Sequence, residues 1–345
     1  MVNRILPVDK IYIVLYTSIC WYKNKFKLSK TIRHLILVIF TIPTVSFIIN
    51  FPNSSIQIFY PSFFLLGALL GSTMKINPIW IRNIIFINII LGFIAVIFSY
   101  LGYENDFSFS LREKALPFIY APYGLSPTQQ VFGTLCILAL IISFEYKKFD
   151  LIFTITLLAT LSTLNRCTLL FFFLILFLYK KKIFYTLSSI LILTFLYYWD
   201  IISRVLFSTS TIDSRYELRK GAEISFWQSG ELITYLFGKG NSNTTEEIAA
   251  KTLYGRTYIE HGLDFIFHCY GYLGSITIIT IIIIYLYYLI KNKLWRYFYI
   301  CCFYILFEQL FTHELLASSF FFFFLTIQLL IQRRNSINYQ YKSLQ

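Results

Sequence analysis

Apolar runs, such as residues 169–179 and 276–290, recur from one end of this chain to the other. A bilayer-spanning helix needs roughly 20 predominantly apolar residues, and the sequence holds about eleven such segments: roughly 5–22, 34–50, 55–72, 79–101, 129–145, 150–165, 167–180, 183–203, 261–290, 295–312 and 315–332. Asp9 and Lys10 interrupt the first, and only the short polar step from Ser162 to Arg166 divides the sixth from the seventh. Charged residues make up 14% of the 345 residues, against about 25% in an ordinary globular domain. That leaves too little polar surface for a soluble fold, and it excludes a nucleic-acid-binding domain or a disordered chain despite the net charge of +13. The expected fold class is all-α, a polytopic integral membrane protein.

Basic residues of membrane proteins gather on the cytoplasmic side. With the segments numbered in order, the odd-to-even loops, their edges and the tail carry eighteen of the 30 basic residues. They carry only two of the 17 acids, Glu145 and Asp150. One face therefore sums to +16 and everything else to −3, which supports eleven spans with a cytoplasmic C-terminus. The expected organisation is an N-terminal bundle of about eight spans (1–203), a large outer loop (204–260), three C-terminal spans (261–332) and a cytoplasmic tail (333–345). Arg4 and Lys10 precede a first apolar stretch without a small-residue cleavage site, so no cleavable signal peptide is expected. The six cysteines show no metal-ligand spacing and read as small apolar residues, so no metal is expected.

Two outer loops are long, about 102–128 and 204–260, and loops of that length are usually functional or disordered. The second balances seven basic against seven acidic residues, and its 213–230 stretch alternates charged and apolar residues at helical spacing. An amphipathic helix at the membrane surface is expected there, followed by a turn at Gly238, Gly240 and Asn241–Asn243.

Three groups of residues carry potential chemistry. Arg166 follows the sixth span between apolar stretches, where an arginine usually faces a partner or a water-filled cavity. Its guanidinium fork suits phosphate oxygens, and the alternative is snorkelling to lipid headgroups. Glu260, Asp264 and His268 stand at i, i+4, i+8 at the start of the ninth span, with His261 sharing their face if the stretch is helical. Such a stripe can bind sugar hydroxyls or act as a general base; the alternative is a polar helix entrance. Gly271 and Gly274 would let another helix approach closely. Arg215 and Arg219, beside Lys220, could clamp a pyrophosphate or form a solvated helix face, and His313 and Glu314 could line the same cavity or be ordinary loop residues. Glu308, inside the tenth span, suggests a hydrogen bond to a neighbouring helix. There is no P-loop, G-x-G-x-x-G, H-E-x-x-H or D-x-D pattern, which disfavours an ATP-driven pump or a nucleotide-sugar transferase.

The eleven spans, the large outer loop before the last three and the arginine after the Ser-Thr step resemble the O-antigen polymerase (Wzy) family. The resemblance extends to Asp-Ser-Arg215, Phe-Gly-Lys-Gly240, and Glu260 and Asp264 followed by Gly271 and Gly274. It covers most of the chain in layout and rests on short motifs in residues; O-antigen ligases share the architecture. It implies a glycosyltransferase of the bacterial cell inner membrane, acting at the periplasmic face in lipopolysaccharide biosynthesis. A glycan on undecaprenyl pyrophosphate would be joined to the next lipid-linked repeat unit, without cofactor. A chain-length regulator (Wzz-like) is the implied partner. The resemblance makes Arg166, Arg215, Glu260, His261 and Asp264 the catalytic candidates and Arg219, His268 and His313 the substrate-binding ones. The Gly262 after His261 departs from the His-Asn of a ligase. The alternatives are a ligase transferring glycan to lipid A-core, a flippase of lipid-linked oligosaccharide, for which no internal repeat is found, and a scaffold without chemistry.

Overall fold

The computed structural model describes residues 8–23, 30–72, 76–103, 105, 107–111, 116–197, 216, 220, 231–241, 259, 261–309 and 314–343. The protein is mostly helical. The helices are α1 (Val8–Lys23), α2 (Lys30–Ile49), α3 (Tyr60–Ser72, entered through a 3-10 turn at Ile56–Phe59), α4 (Pro78–Tyr100), α5 (Gln129–Glu145), α6 (Leu151–Ser162), α7 (Arg166–Tyr179), α8 (Lys181–Tyr197), the short α9 (Leu232–Phe237), α10 (Gly262–Lys291), α11 (Trp295–Cys302, continued as a π-helical turn over Phe303–Glu308) and α12 (Ser318–Ser343). Each apolar segment read from the sequence thus coincides with helix. Two of them, Pro78–Tyr100 and Gly262–Lys291, are long and apolar enough to cross a membrane. The 213–230 segment expected to be amphipathic lies outside the described residues apart from Tyr216 and Lys220.

Local chemistry sets the helix starts. Asn77 precedes Pro78 and accepts from the Ile79 amide, Thr128 accepts from Val131, Asp150 from Phe153 and Asn165 from Thr168. Each short polar side chain satisfies one of the amides that the first turn leaves without a partner. Proline at the first position of α4 loses nothing, because its amide would have been unpaired.

The chain divides into two compact units. The first comprises Met1–Ile11, Gly71–Ser208 and Phe321–Gln345; the second comprises Tyr12–Leu70 and Thr209–Phe320. In the first unit α5 is the central element, buried continuously from Val131 to Phe144, as expected of a helix apolar on every side. At the polar end of α5, Arg82 on α4 is buried and donates to both oxygens of Asp150, at 3.1 and 2.8 Å, and to Ser143 on α5. Nearby, Tyr179 donates to Glu145, and the Arg333 guanidinium lies 3.5 Å from the centroid of the Tyr146 ring. The long 102–128 loop contains an antiparallel hairpin, β1 (Ser108–Leu111) paired with β2 (Leu116–Pro122). It is pinned to α4 by Asn88, which accepts from the Leu125 amide and donates to Ser126.

The outward faces are as apolar as the core. On α4, Trp80, Ile84, Ile87, Leu91, Ile94 and Phe98 are exposed at helical spacing, and on α10 Ile276, Ile279, Ile283 and Tyr287 are likewise exposed.

Candidate functional site

In the second unit, α10 is broken at Gly271, whose backbone (φ 63°, ψ −166°) no side-chain-bearing residue adopts readily. The break takes the carbonyls of His268 and Cys269 out of the helical ladder, and a buried carbonyl needs a donor. The turn after α9 supplies it. The Lys239 amide donates to the His268 carbonyl at 2.7 Å, and the Gly240 amide and the Ser46 hydroxyl donate to that of Cys269 at 3.2 and 2.6 Å. Asn50 and Ser55 hold the other side of the turn by donating to the carbonyls of Gly238 and Gly240. The chains cross so closely that a Cβ on Gly271 would sit 2.5 Å from the Gly238 nitrogen. Gly238 and Gly240 also have positive φ. The turn glycines and Gly271 are thus one feature, a loop seated in a broken helix, whereas Gly274 lies against Tyr270 and against Ile42 on α2.

This crossing positions His268, which is 2% exposed. Its Nδ1 lies 3.0 Å from the Asn241 carbonyl, which also accepts from the Cys269 thiol at 2.9 Å. A carbonyl only accepts, so Nδ1 carries the proton and Nε2 is left as an acceptor. Among the described residues, neither His268 Nε2 nor the Asn241 side-chain oxygen has a hydrogen-bond partner, and both are buried. Two adjacent residues therefore present unfilled acceptors, which suit a ligand rich in hydroxyl donors. Lys239 and Asp264 are the charged neighbours of His268. Burial holds the Lys239 amine below its ordinary value, with Glu231 opposing that shift.

His261 is not part of the helical stripe expected for it. It is the cap of α10, its Nδ1 accepting from the Asp264 amide at 3.3 Å and lying 3.2 Å from the Asp264 carboxylate. The pair resembles a capping box, with an acid in the first turn where the helix dipole favours it. That gives His261 a capping role at the helix entrance, which His268 does not share.

Arg166 lies in the first unit as the first residue of α7, half-buried. A cation there works against the helix dipole, so the charge does not serve helix stability. The corner before it is tight: Leu164 has φ 46°, Thr163 is fully buried, and Gln129 on α5 donates to the Thr163 carbonyl. Arg215, Arg219, Glu260 and His313 lie outside the described residues.

One buried polar group drew little attention in the sequence. The π-turn turns Glu308 and Gln309 inward, Glu314 accepts from Tyr304 and Ser319 at 3.1 and 2.7 Å, and Gln309 accepts from the Glu314 amide. π-turns are frequent at functional sites, but FYILFE reads as plain apolar helix with one acid, so only Glu308 itself was a signal. No group of His, Cys, Asp and Glu among the described residues could hold a metal ion.

No family model, curated protein or solved structure matches this chain. Among the described residues the protein is mostly helical, with two helices long and apolar enough to cross a membrane.

Proposed function

We propose that this protein is a multi-pass inner-membrane glycosyltransferase that polymerises undecaprenyl-pyrophosphate-linked repeat units of O-antigen, or of a similar surface polysaccharide, at the periplasmic face. The observation that carries the reading is the Gly238–Asn241 turn seated in broken α10: it gathers polar groups of the long outer loop and the ninth span, the segments that resemble this family.

The membrane part of the reading has its own support. Apolar stripes face outward on α4 and α10, and exposed apolar surface of that extent fits lipid better than water. The packing also agrees with the charge-sorted topology. In the first unit, residues sorted to the inner face meet one another: Arg82 with Asp150, Lys180 with Phe149, Arg333 with Tyr146. In the second, the outer loop at residues 50–55 meets the outer loop at 238–241.

In this mechanism an acceptor sugar hydroxyl attacks the anomeric carbon of the donor glycan, and the pyrophosphate lipid leaves with the bonding electrons. Arg166 and Arg215 stabilise the developing phosphate charge, and groups at the start of α10 orient the acceptor. The test is the lipopolysaccharide banding pattern of the host strain with this gene deleted. The reading expects the ladder to collapse to core plus a single repeat unit. If all O-antigen is lost from the core, the polymerase reading fails and a ligase or flippase replaces it. In the complemented strain Arg166→Ala is expected to abolish the ladder while the protein remains inserted. Arg166→Lys fails nearly as badly if the guanidinium fork matters, and largely survives if charge alone does.

A further inference from the structure

We propose that His268 is the general base of the transfer reaction, its Nε2 taking the proton of the acceptor sugar hydroxyl while the Asn241 side-chain oxygen accepts from a neighbouring hydroxyl. The proposal rests on the polymerase reading above.

Its basis is the inventory of unfilled acceptors. The Nδ1 proton of His268 is committed to the Asn241 carbonyl, which fixes the ring and leaves the Nε2 lone pair available. That is how a neutral imidazole is held when it serves as a base. An acceptor buried without a partner is unfavourable, yet this fold keeps two of them on neighbouring segments, at His268 Nε2 and Asn241 Oδ1. A saccharide offers hydroxyl donors on adjacent carbons and fills both at once. Asp264, one turn before His268 on the same half of α10, supplies a carboxylate to stabilise the imidazolium. His261 is held differently, its Nδ1 facing the Asp264 amide as a helix cap and lying 3.2 Å from the Asp264 carboxylate.

The step balances. The bond from the acceptor oxygen to the anomeric carbon forms as the bond from that carbon to the pyrophosphate oxygen breaks. The electron pair leaves with the pyrophosphate, and the hydroxyl proton moves to Nε2, from which water or the departing pyrophosphate removes it.

The experiment uses the full chain in detergent with lipid-linked repeat units extracted from the deletion strain, and follows elongation on a gel. His268→Asn keeps a donor toward the Asn241 carbonyl and lacks Nε2. A general base contributes about 10²–10⁴-fold, so the variant is expected to lose at least 100-fold in kcat with KM for the lipid-linked unit little changed. Free imidazole is expected to restore part of the activity of His268→Ala. Elongation by His268→Asn within tenfold of wild type overturns the proposal, since a structural role would be met by the asparagine. A wild-type protein that elongates nothing refutes the polymerase reading itself, a distinct result.

Discussion

The ion pair of the first unit and the loop crossing of the second both place polar groups among apolar helices, and they treat them in opposite ways. Arg82 is nearly fully buried, but its two terminal nitrogens are satisfied by Asp150 and Ser143, and only Nε lacks a partner. Asp150 in turn caps α6 through the Phe153 amide. The crossing instead satisfies its backbone groups with care and leaves two side-chain acceptors open. Networks that hold a fold are completed in the main, here at all but Arg82 Nε, because each unfilled buried group costs free energy. A group left open beside a tightly specified backbone points to a ligand. The first unit's pair is therefore read as architecture, and the second unit's cluster as a site.

The largest effect is expected from breaking the crossing itself. Gly271→Ala combines a positive φ with a Cβ placed against backbone atoms of Leu236 and Gly238. Strain and overpacking together are expected to cost about 3 kcal/mol, read as a fall in melting temperature and as new protease cleavage near residues 238–241. Gly102→Ala is the control. Its φ is +85° but a Cβ there meets nothing within 4 Å, so only the backbone penalty of about 1 kcal/mol is expected. Equal losses at the two positions would show that the crossing is not tight.

Asp150→Ala comes next. It leaves the Arg82 guanidinium buried without its partner, which for enclosed pairs costs roughly 3–5 kcal/mol. The Asp150 side chain is 42% exposed, so about 2 kcal/mol is expected once solvent screening is allowed for. Replacing both residues by leucine should recover most of that loss, because the cost lies in the orphaned charge rather than in the missing pair. A double variant no more stable than Asp150→Ala would refute this.

Against these, His268→Asn is expected to leave the melting temperature unchanged or to raise it by the equivalent of roughly 1 kcal/mol, since it removes an unfilled acceptor and keeps the hydrogen bond to Asn241. A loss as large as that of Asp150→Ala would make His268 a structural residue and erase the contrast between the two regions.

Much of this was legible in the sequence. Apolar runs located the long helices of the described residues but not the short α9 (Leu232–Phe237), and the glycines at 238, 240, 271 and 274 marked both the turn and the close approach. The pairings were not legible. Arg82 and Asp150 are 68 residues apart, and each looked like an ordinary inner-face charge. His268 stood out at helical spacing from Asp264, but its open nitrogen follows from Asn241, 27 residues earlier, arriving on a separate loop. His261 was assigned to the stripe because spacing cannot distinguish a helix cap from a first helical residue. The hairpin at 108–122 escaped because two prolines and a short, uneven alternation obscure the strand pattern there.

The smallest expected effect separates the two regions by pH. Burial pushes the Asp150 carboxyl up, but its hydrogen bonds from Arg82 and the Phe153 amide outweigh that and hold it below the usual carboxylate range. Its contribution is therefore present above about pH 4, the ordinary carboxylate value, and is lost as pH falls through the lower folded-state value. Lys239 titrates at the other end. Desolvation holds its amine below the ordinary value near 10.4, so the fold bears a penalty for the charged form at neutral pH. That penalty disappears as pH rises through the folded-state value, and stability rises with pH there because the unfolded chain then binds more protons. Both slopes have the same sign, in windows several pH units apart. Denaturant midpoints measured across pH should lose only the acid slope in Asp150→Asn and only the alkaline slope in Lys239→Met. If Lys239→Met altered the acid slope instead, the amine would not be the partly desolvated group beside His268 that this account requires.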